Sequence, residues 1–591
     1  MKLSNFLIFL INLGTCWKGN GIKTYFGDII GHDITVLGEK MTEYLGIPYA
    51  QSPTEFYRFK PPFELEKDRF IGNNTFHASH EAVACPQNIR TMGFDGYDAS
   101  NPKTYNESCL RLNMWVPKGE TNMPVIVFFH GGSWTVRTGS ADKFNGSVLA
   151  LKTKSIVVVP NFRLGFFGFA YLSGEDGIEG NMGLLDQQMV LKWINRTIES
   201  FGGDKTKVTI FGTSSGASAV AAHLFSNNSR LLFKRGIMSS GTITHFMTTV
   251  SREIADTNTR NVSVKVGCIE NINDKSKSNT QILDCLRNKT VEELLNATRH
   301  VSAPGQMPTP FPFMPINNDT VFFNGSINEI YKKKEFNTDV DLMLGRTADE
   351  ATFFMATGFT NNSMFGCYFY PQKPANDSAN KCEMSNTNFE NLVKFGGKIL
   401  KFNETEIEKL QKIYEKSANS YTNRSIRILS DFIFDCELSR FAITFAGAST
   451  GSTYFYEYNR RSPINLWPEW TGAMHGDDLI DIFGIPFRHS DKYDKNILER
   501  EKVNSEHVMW AIGNFTKEGN IPNVWNKLNV SDPKALEFNG ELGQPGTTVQ
   551  YKNVTPSTCT EFYNLFQESM LYKMSLLKST TTLTPTTTSI L

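Results

Sequence analysis

Residues 201–216 read FGGDKTKVTIFGTSSG, and the fold is decided by how this stretch turns. Val208, Ile210 and Phe211 form a short apolar run of strand type, while GASAVAAHLF over 216–225 is rich in alanine and suits a close-packed helix. The pentapeptide between them, Gly212-Thr213-Ser214-Ser215-Gly216, has the G-x-S-x-G pattern of a sharp strand-to-helix elbow. Such an elbow holds its serine in a strained backbone conformation, which small neighbours at Gly212 and Gly216 permit. Ser214 Oγ is then expected to stand exposed at the carboxyl edge of a sheet, where a nucleophile is useful.

The rest of the chain supplies strands for that sheet. Leu112, Met114 and Val116 alternate, and PVIVFF over 124–129 is an unbroken apolar run of the kind a buried parallel strand needs. SIVVVP (155–160), DVDLMLG (339–345) and TYFYEY (453–458) repeat the signal. Between them GNMGLLDQQMVLKWI (180–194) reads as a helix whose buried stripe is expected at Leu185, Met189 and Trp193. Directly after the 124–129 strand come His130-Gly131-Gly132-Ser133. Glycines at a strand's end leave N–H groups unshielded, so Gly131 and Gly132, with the N–H of Ser215, are the expected oxyanion donors; His130 reads as a structural loop histidine. Glu350 falls at the next strand-to-helix turn, in RTADEATFFM, and His475 just before a glycine in GAMHGDDLIDIFG. With Asp349 or Glu350 as the acid, the chain order serine, acid, histidine (Ser214 first, His475 last) is that of α/β-hydrolases and not of chymotrypsin-like or subtilisin-like enzymes. Asp349 is the alternative acid.

Composition narrows the class. The chain has 591 residues, with 60 Lys+Arg against 60 Asp+Glu, so its net charge gives no reason to expect nucleic acid or an anionic membrane as partner. A neutral small-molecule substrate fits that balance, and no His/Cys cluster has metal-ligand spacing, so neither metal nor cofactor is expected. Residues 1–16, with Lys2 before FLIFLINLG, read as a signal peptide; 17–570 as one catalytic domain; and 571–591, ending KSTTTLTPTTTSIL, as a disordered tail. No later run approaches the ~18 apolar residues of a membrane span, and a secreted or lumenal protein is expected. Oligomeric state stays open. Of nine cysteines, Cys16 falls in the leader. Eight remain, and chain proximity suggests Cys85 with Cys109, Cys268 with Cys285 and Cys367 with Cys382, leaving Cys436 and Cys559, although sequence does not fix connectivity. Sequons at Asn73, Asn145, Asn261, Asn296 and Asn403 agree with the secretory route.

The 201–216 run resembles the active-serine signature of the type-B carboxylesterase and cholinesterase family, and EYLGIPYAQSPTEFYRFKPPF (43–63) resembles that family's N-terminal block. The resemblance implies an α/β-hydrolase fold, with a central, mostly parallel twisted sheet, helices on both faces and long insertions over the active site. It implies a Ser214-His475-Glu350 triad working through an acyl-enzyme, with Ala351 replacing the family's usual glycine after the acid. It implies structural ion pairs of Arg58 with Glu107 and of Arg163 with Asp186, and it matches three of the four bridges, Cys367–Cys382 being an addition. Phe246, Phe311 and Phe313 fall near positions that wall the acyl pocket in related esterases; ordinary core packing is the other reading of each. Two departures bear on substrate. Thr213 stands where cholinesterases have an acidic residue, and Ser100 where they carry the choline-binding tryptophan, so choline esters are not the expected preference. The alternative function is a cholinesterase-like adhesion protein that lost its chemistry.

Overall fold

The computed structural model describes residues 21–70, 75–303, 311–522, 525–541 and 549–581, with side chains to Ser569 in the last of these. Eleven strands form the main sheet: β1 (His32–Val36), β2 (Glu39–Pro48), β3 (Arg111–Pro117), β4 (Met123–Phe129), β5 (Ile156–Pro160), β6 (Gly203–Thr213), β7 (Arg235–Ser239), β8 (Asp341–Thr347), β9 (Thr453–Tyr458), β10 (Lys534–Phe538) and β11 (Tyr551–Asn553). Their spatial order is β11-β10-β9-β8-β7-β6-β4-β5-β3-β2-β1. From β5 to β10 every pairing is parallel, and the pairings outside that block are antiparallel. This is the mostly parallel sheet of an α/β-hydrolase.

Parallel strands need both faces covered, and β4 shows how its apolar run achieves it. Val125, Val127 and Phe129 enter one core, while Ile126 and Phe128 enter the other. The helices used below are α1 (Met182–Thr197), α2 (Ser215–Phe225), α3 (Thr352–Gly358), α4 (Asn386–Ile399), α5 (Glu404–Tyr414), α6 (Tyr421–Ser430), α7 (Cys436–Ala446) and α8 (Ser557–Thr581). Side chains at Ser385 and Asn403 cap α4 and α5, each within a reciprocal capping box. Residues of α4, α5 and α6, together with Phe562 on α8, form a separate apolar cluster.

The structure pairs Cys85 with Cys109, Cys268 with Cys285, Cys367 with Cys382 and Cys436 with Cys559. The last closes the longest loop and ties α8 to α7.

Two expectations are corrected. On α1, Leu185 and Met189 are only partly buried, while Asp186, Gln187 and Gln188 are fully covered. The polar residues lie inside because each finds a partner: Asp186 takes Arg163, Gln187 meets His223, and Gln188 donates to Ser229. The disordered tail set at 571 starts too early. Helix α8 runs to Thr581, because Leu571, Met574, Leu576 and Leu577 are good helix formers and precede the threonine run. Residues 582–591, the signal segment 1–16 and the Asn73 sequon lie outside the described residues. Among those described, no helix is long and apolar enough to cross a membrane.

Candidate active site

Ser214 lies between β6 and α2 with φ 58° and ψ −126°, a conformation costly for a side-chain-bearing residue. Its surroundings hold it there. Ser214 N–H donates to Ser239 O at 2.9 Å, and Ser218 N–H donates to Ser214 O at 3.0 Å. A Cβ on Gly212 would lie 2.1 Å from Gly216 O, and one on Gly216 would lie 2.0 Å from Phe129 O. Both glycines of the motif are therefore steric requirements of the crossing of strand and helix.

The loop after β4 approaches as closely. A Cβ on Gly131 would sit 2.9 Å from Ser214 Cβ and 2.8 Å from Thr213 O. Gly132, at φ 120°, would drive a Cβ to 2.1 Å from Val136 O. Glycine at 131 thus lets bare backbone lie beside Ser214, and glycine at 132 lets the loop fold back against Val136. Ser215 opens α2, where the first helical N–H groups lack partners within the helix and favour negative charge. His130, by contrast, stacks on Phe162 at 4.5 Å, and burial pushes its pKa down to about 4. It is a neutral packing residue.

Glu350 and His475 meet across the ends of β8 and β9. His475 Nδ1 and Glu350 Oε2 are 2.5 Å apart, which assigns the proton to Nδ1 when the ring is neutral. Glu350 is fully buried; its Oε1 accepts from Thr347 N–H at 2.8 Å and from the Ser240 hydroxyl. Asp349, the alternative acid, turns elsewhere: its Oδ2 accepts from Ala473 N–H at 3.0 Å, and its own N–H donates to Ala473 O at 3.0 Å. It fastens the histidine loop and leaves the ring to Glu350. His475 Nε2 is buried and has no hydrogen-bond partner among the described residues. Two mutually packed aromatics press on the ring, which stacks on Phe434 at 4.6 Å and is tilted against Phe354 at 5.5 Å. Phe434 lies on a π-helical turn, Asp431–Asp435, and nothing in its sequence context marked it.

Ser214, Gly131, Gly132 and His475 line one cavity of about 1210 Å³. Residues 18–555 match the profile of the carboxylesterase family. The chain belongs to the carboxylesterase family. It is 32% identical to acetylcholinesterase 4 of Caenorhabditis briggsae over 84% of this chain and 81% of that one. It is 30% identical to the cholinesterase of Mus musculus over 93% and 87% of the two chains, and 31% identical to the acetylcholinesterase of Danio rerio over 84% and 81%.

In this carboxylesterase-family chain the cavity wall differs between its arms. Ser100 and Tyr97 line one arm together with Arg137, Lys143 and Asn465. The Arg137 guanidinium lies 4.5 Å over one face of Tyr97, whose ring also stacks on Phe353 at 6.4 Å. Arg137 Nη1 donates to Asn101 Oδ1 at 2.8 Å. Sequence reasoning did not single out Arg137. Phe311 and Phe313 line the cavity. Phe246 does not: it is 39% exposed and stacks on His245 and Phe566, while Met247 supplies the lining. A one-residue offset in that loop turns the neighbouring side chain inward.

The structural ion pairs form as bidentate contacts. Arg58 Nε and Nη2 reach Glu107 at 2.7 and 2.6 Å, and Arg58 Nη1 spans the carbonyls of Leu286, Arg287 and Lys289. This anchors the first disulfide loop to the second. Arg163 Nε and Nη2 reach Asp186 at 2.8 and 2.7 Å, both side chains being buried.

Proposed function

We propose that this chain is an active carboxylic-ester hydrolase that does not prefer choline esters. Ser214 Oγ attacks the ester carbonyl while His475 Nε2 takes its proton; Glu350 holds the ring and stabilises the imidazolium. The N–H groups of Gly131, Gly132 and Ser215 receive the oxyanion, and water activated by the same histidine releases the acid. The carrying observation is the buried Glu350–His475 contact, 2.5 Å long, with Nε2 unpartnered in the cavity that Ser214 lines. An adhesion protein has no need of that arrangement.

The relatives are cholinesterases and acetylcholinesterases, so the case against choline needs its own support. A quaternary ammonium binds through an aromatic face. Tyr97, the aromatic nearest Ser100 in sequence, already carries the Arg137 guanidinium over its ring and stacks on Phe353. A second cation about 5 Å from that guanidinium is disfavoured by about 3 kcal/mol at an effective dielectric near 20.

The test combines labelling with a substrate panel. A fluorophosphonate probe is expected to label Ser214 once per chain and to abolish hydrolysis of p-nitrophenyl esters. Acetylthiocholine is expected to be a poorer substrate than phenyl thioacetate, and Arg137→Ala to raise its kcat/KM by about tenfold or more relative to that neutral thioester. Absence of labelling on a folded chain would overturn the enzymatic reading; acetylthiocholine as the best ester would overturn the specificity. We also propose secretion, supported by four disulfides. Expressed cells should release the chain into the medium with its N-terminus near Trp17, and retention in the cytosol would sink this.

A further inference from the structure

Part of the cavity wall belongs to the apolar cluster formed by α4, α5, α6 and α8. The wall there includes Leu392, Leu410, Leu429, Phe432 and Phe562, each no more than 9% exposed. From residues 353–433 and 562, the lining side chains carry no charge, and Thr357 has the one hydroxyl. Protein interiors are close-packed and leave few voids larger than a water molecule. A hollow apolar cluster that opens beside a nucleophilic serine is therefore a place for a ligand.

Two glycines in the wall sharpen the point. Helix α4 carries Gly396 and Gly397 near its end, a costly choice for a helix. Packing explains Gly397, where a Cβ would lie 2.5 Å from Ile407 Cγ1. It does not explain Gly396, which lines the cavity and has nothing within 4 Å of where its Cβ would be. Gly358, at the end of α3, also borders the cavity, but it is exposed to solvent. Neither has the positive φ that would demand glycine. The missing side chain of Gly396 leaves the lobe wide.

We infer that this lobe receives the hydrocarbon chain of the acyl group, and that the preferred substrates are esters of medium- to long-chain fatty acids. The inference rests on the esterase reading above. A hydrocarbon tail gains from apolar burial and loses beside Arg137, Lys143 and Asn465, so the tail takes the lobe and the alcohol takes the polar arm.

The experiment is a chain-length profile of kcat/KM for p-nitrophenyl acetate, butyrate, octanoate and dodecanoate, beside a series of acetates with lengthening alkyl alcohols. Each methylene entering the lobe should raise kcat/KM about two- to fourfold, the upper value being the transfer free energy of one CH₂ expressed as a ratio. The alkyl series should stay flat. Gly396→Leu fills the lobe from a helix that favours leucine over glycine, and it should lower the dodecanoate-to-acetate ratio by tenfold or more. A native profile that falls with acyl length, a rise confined to the alkyl series, or an unchanged ratio in Gly396→Leu would overturn the inference. If no ester is turned over, the esterase reading fails by itself, and the lobe is then judged by displacement of a fluorescent fatty acid by dodecanoate. Binding weakened tenfold in Gly396→Leu would uphold an apolar chain site; no binding to the native chain would remove it.

Discussion

Ser214→Ala is expected to lower kcat on p-nitrophenyl esters by about 10⁶-fold, and Glu350→Gln by about 10⁴-fold. The difference follows from what each group does. Without Ser214 Oγ no acyl-enzyme forms, and whatever turnover remains comes from binding and the oxyanion donors. Glutamine at 350 can present its amide N–H to His475 Nδ1, which moves the ring proton to Nε2 and leaves no base facing the serine. The acceptor role toward Thr347 N–H and Ser240 Oγ survives in the amide oxygen, so the fold should persist. Because the triad acts as a unit, the double variant should be no slower than Ser214→Ala alone. Asp349→Asn is the control: its carboxylate grips Ala473 N–H and not the imidazole, so kcat should fall by less than about tenfold. Single-turnover and steady-state assays with matched circular dichroism decide it. Equal losses in Glu350→Gln and Asp349→Asn would mean that the Glu350–His475 contact does not orient the base.

Much of this arrangement was legible in the residues because it rests on local constraints. The apolar runs at 124–129, 155–160 and 453–458 became strands within a residue or so of their limits, since burial on both faces leaves little freedom in composition. Gly131, Gly212 and Gly216 were readable for the same reason: each sits where a Cβ would collide with backbone. The choice of Glu350 over Asp349 came from the family resemblance and not from local pattern, because adjacent carboxylates at one turn differ only in which way the chain points them. Phe434 escaped notice because a π-turn aims it at His475, and no periodicity predicts that. Arg137 escaped because its meaning lies in a contact with Tyr97, forty residues away in the chain. The lobe was invisible for a related reason. It is a space between helices, and of its makers only Gly396 leaves a trace in the sequence, one that cannot be told from Gly397 until the neighbours are known.

Asp186→Ala is expected to destabilise the fold by about 3–5 kcal/mol, a large share of the roughly 5–15 kcal/mol that holds a domain together. The Asp186 carboxylate is fully buried and accepts from three donors of one residue, Arg163 N, Nε and Nη2. Arg163 Nη1 is committed to Lys60 O at 2.7 Å, and its side chain is 3% exposed. Removing the carboxylate therefore strands a full positive charge away from water, which costs more than the pair itself contributes. The exposed Lys154–Glu120 pair, 3.2 Å apart with both side chains largely in solvent, gives the contrast: Glu120→Ala should change stability by no more than about 0.5 kcal/mol. A chain of this size with four disulfides is expected to unfold irreversibly, so the readouts are secreted yield and the half-life of esterase activity at a fixed elevated temperature. Replacing both partners, Arg163→Met with Asp186→Leu, should recover part of what Asp186→Ala loses, since no unpaired charge remains. If the double replacement is instead as unstable as Asp186→Ala, the loss comes from the shape of the junction between α1 and the loop after β5, and the charge is incidental.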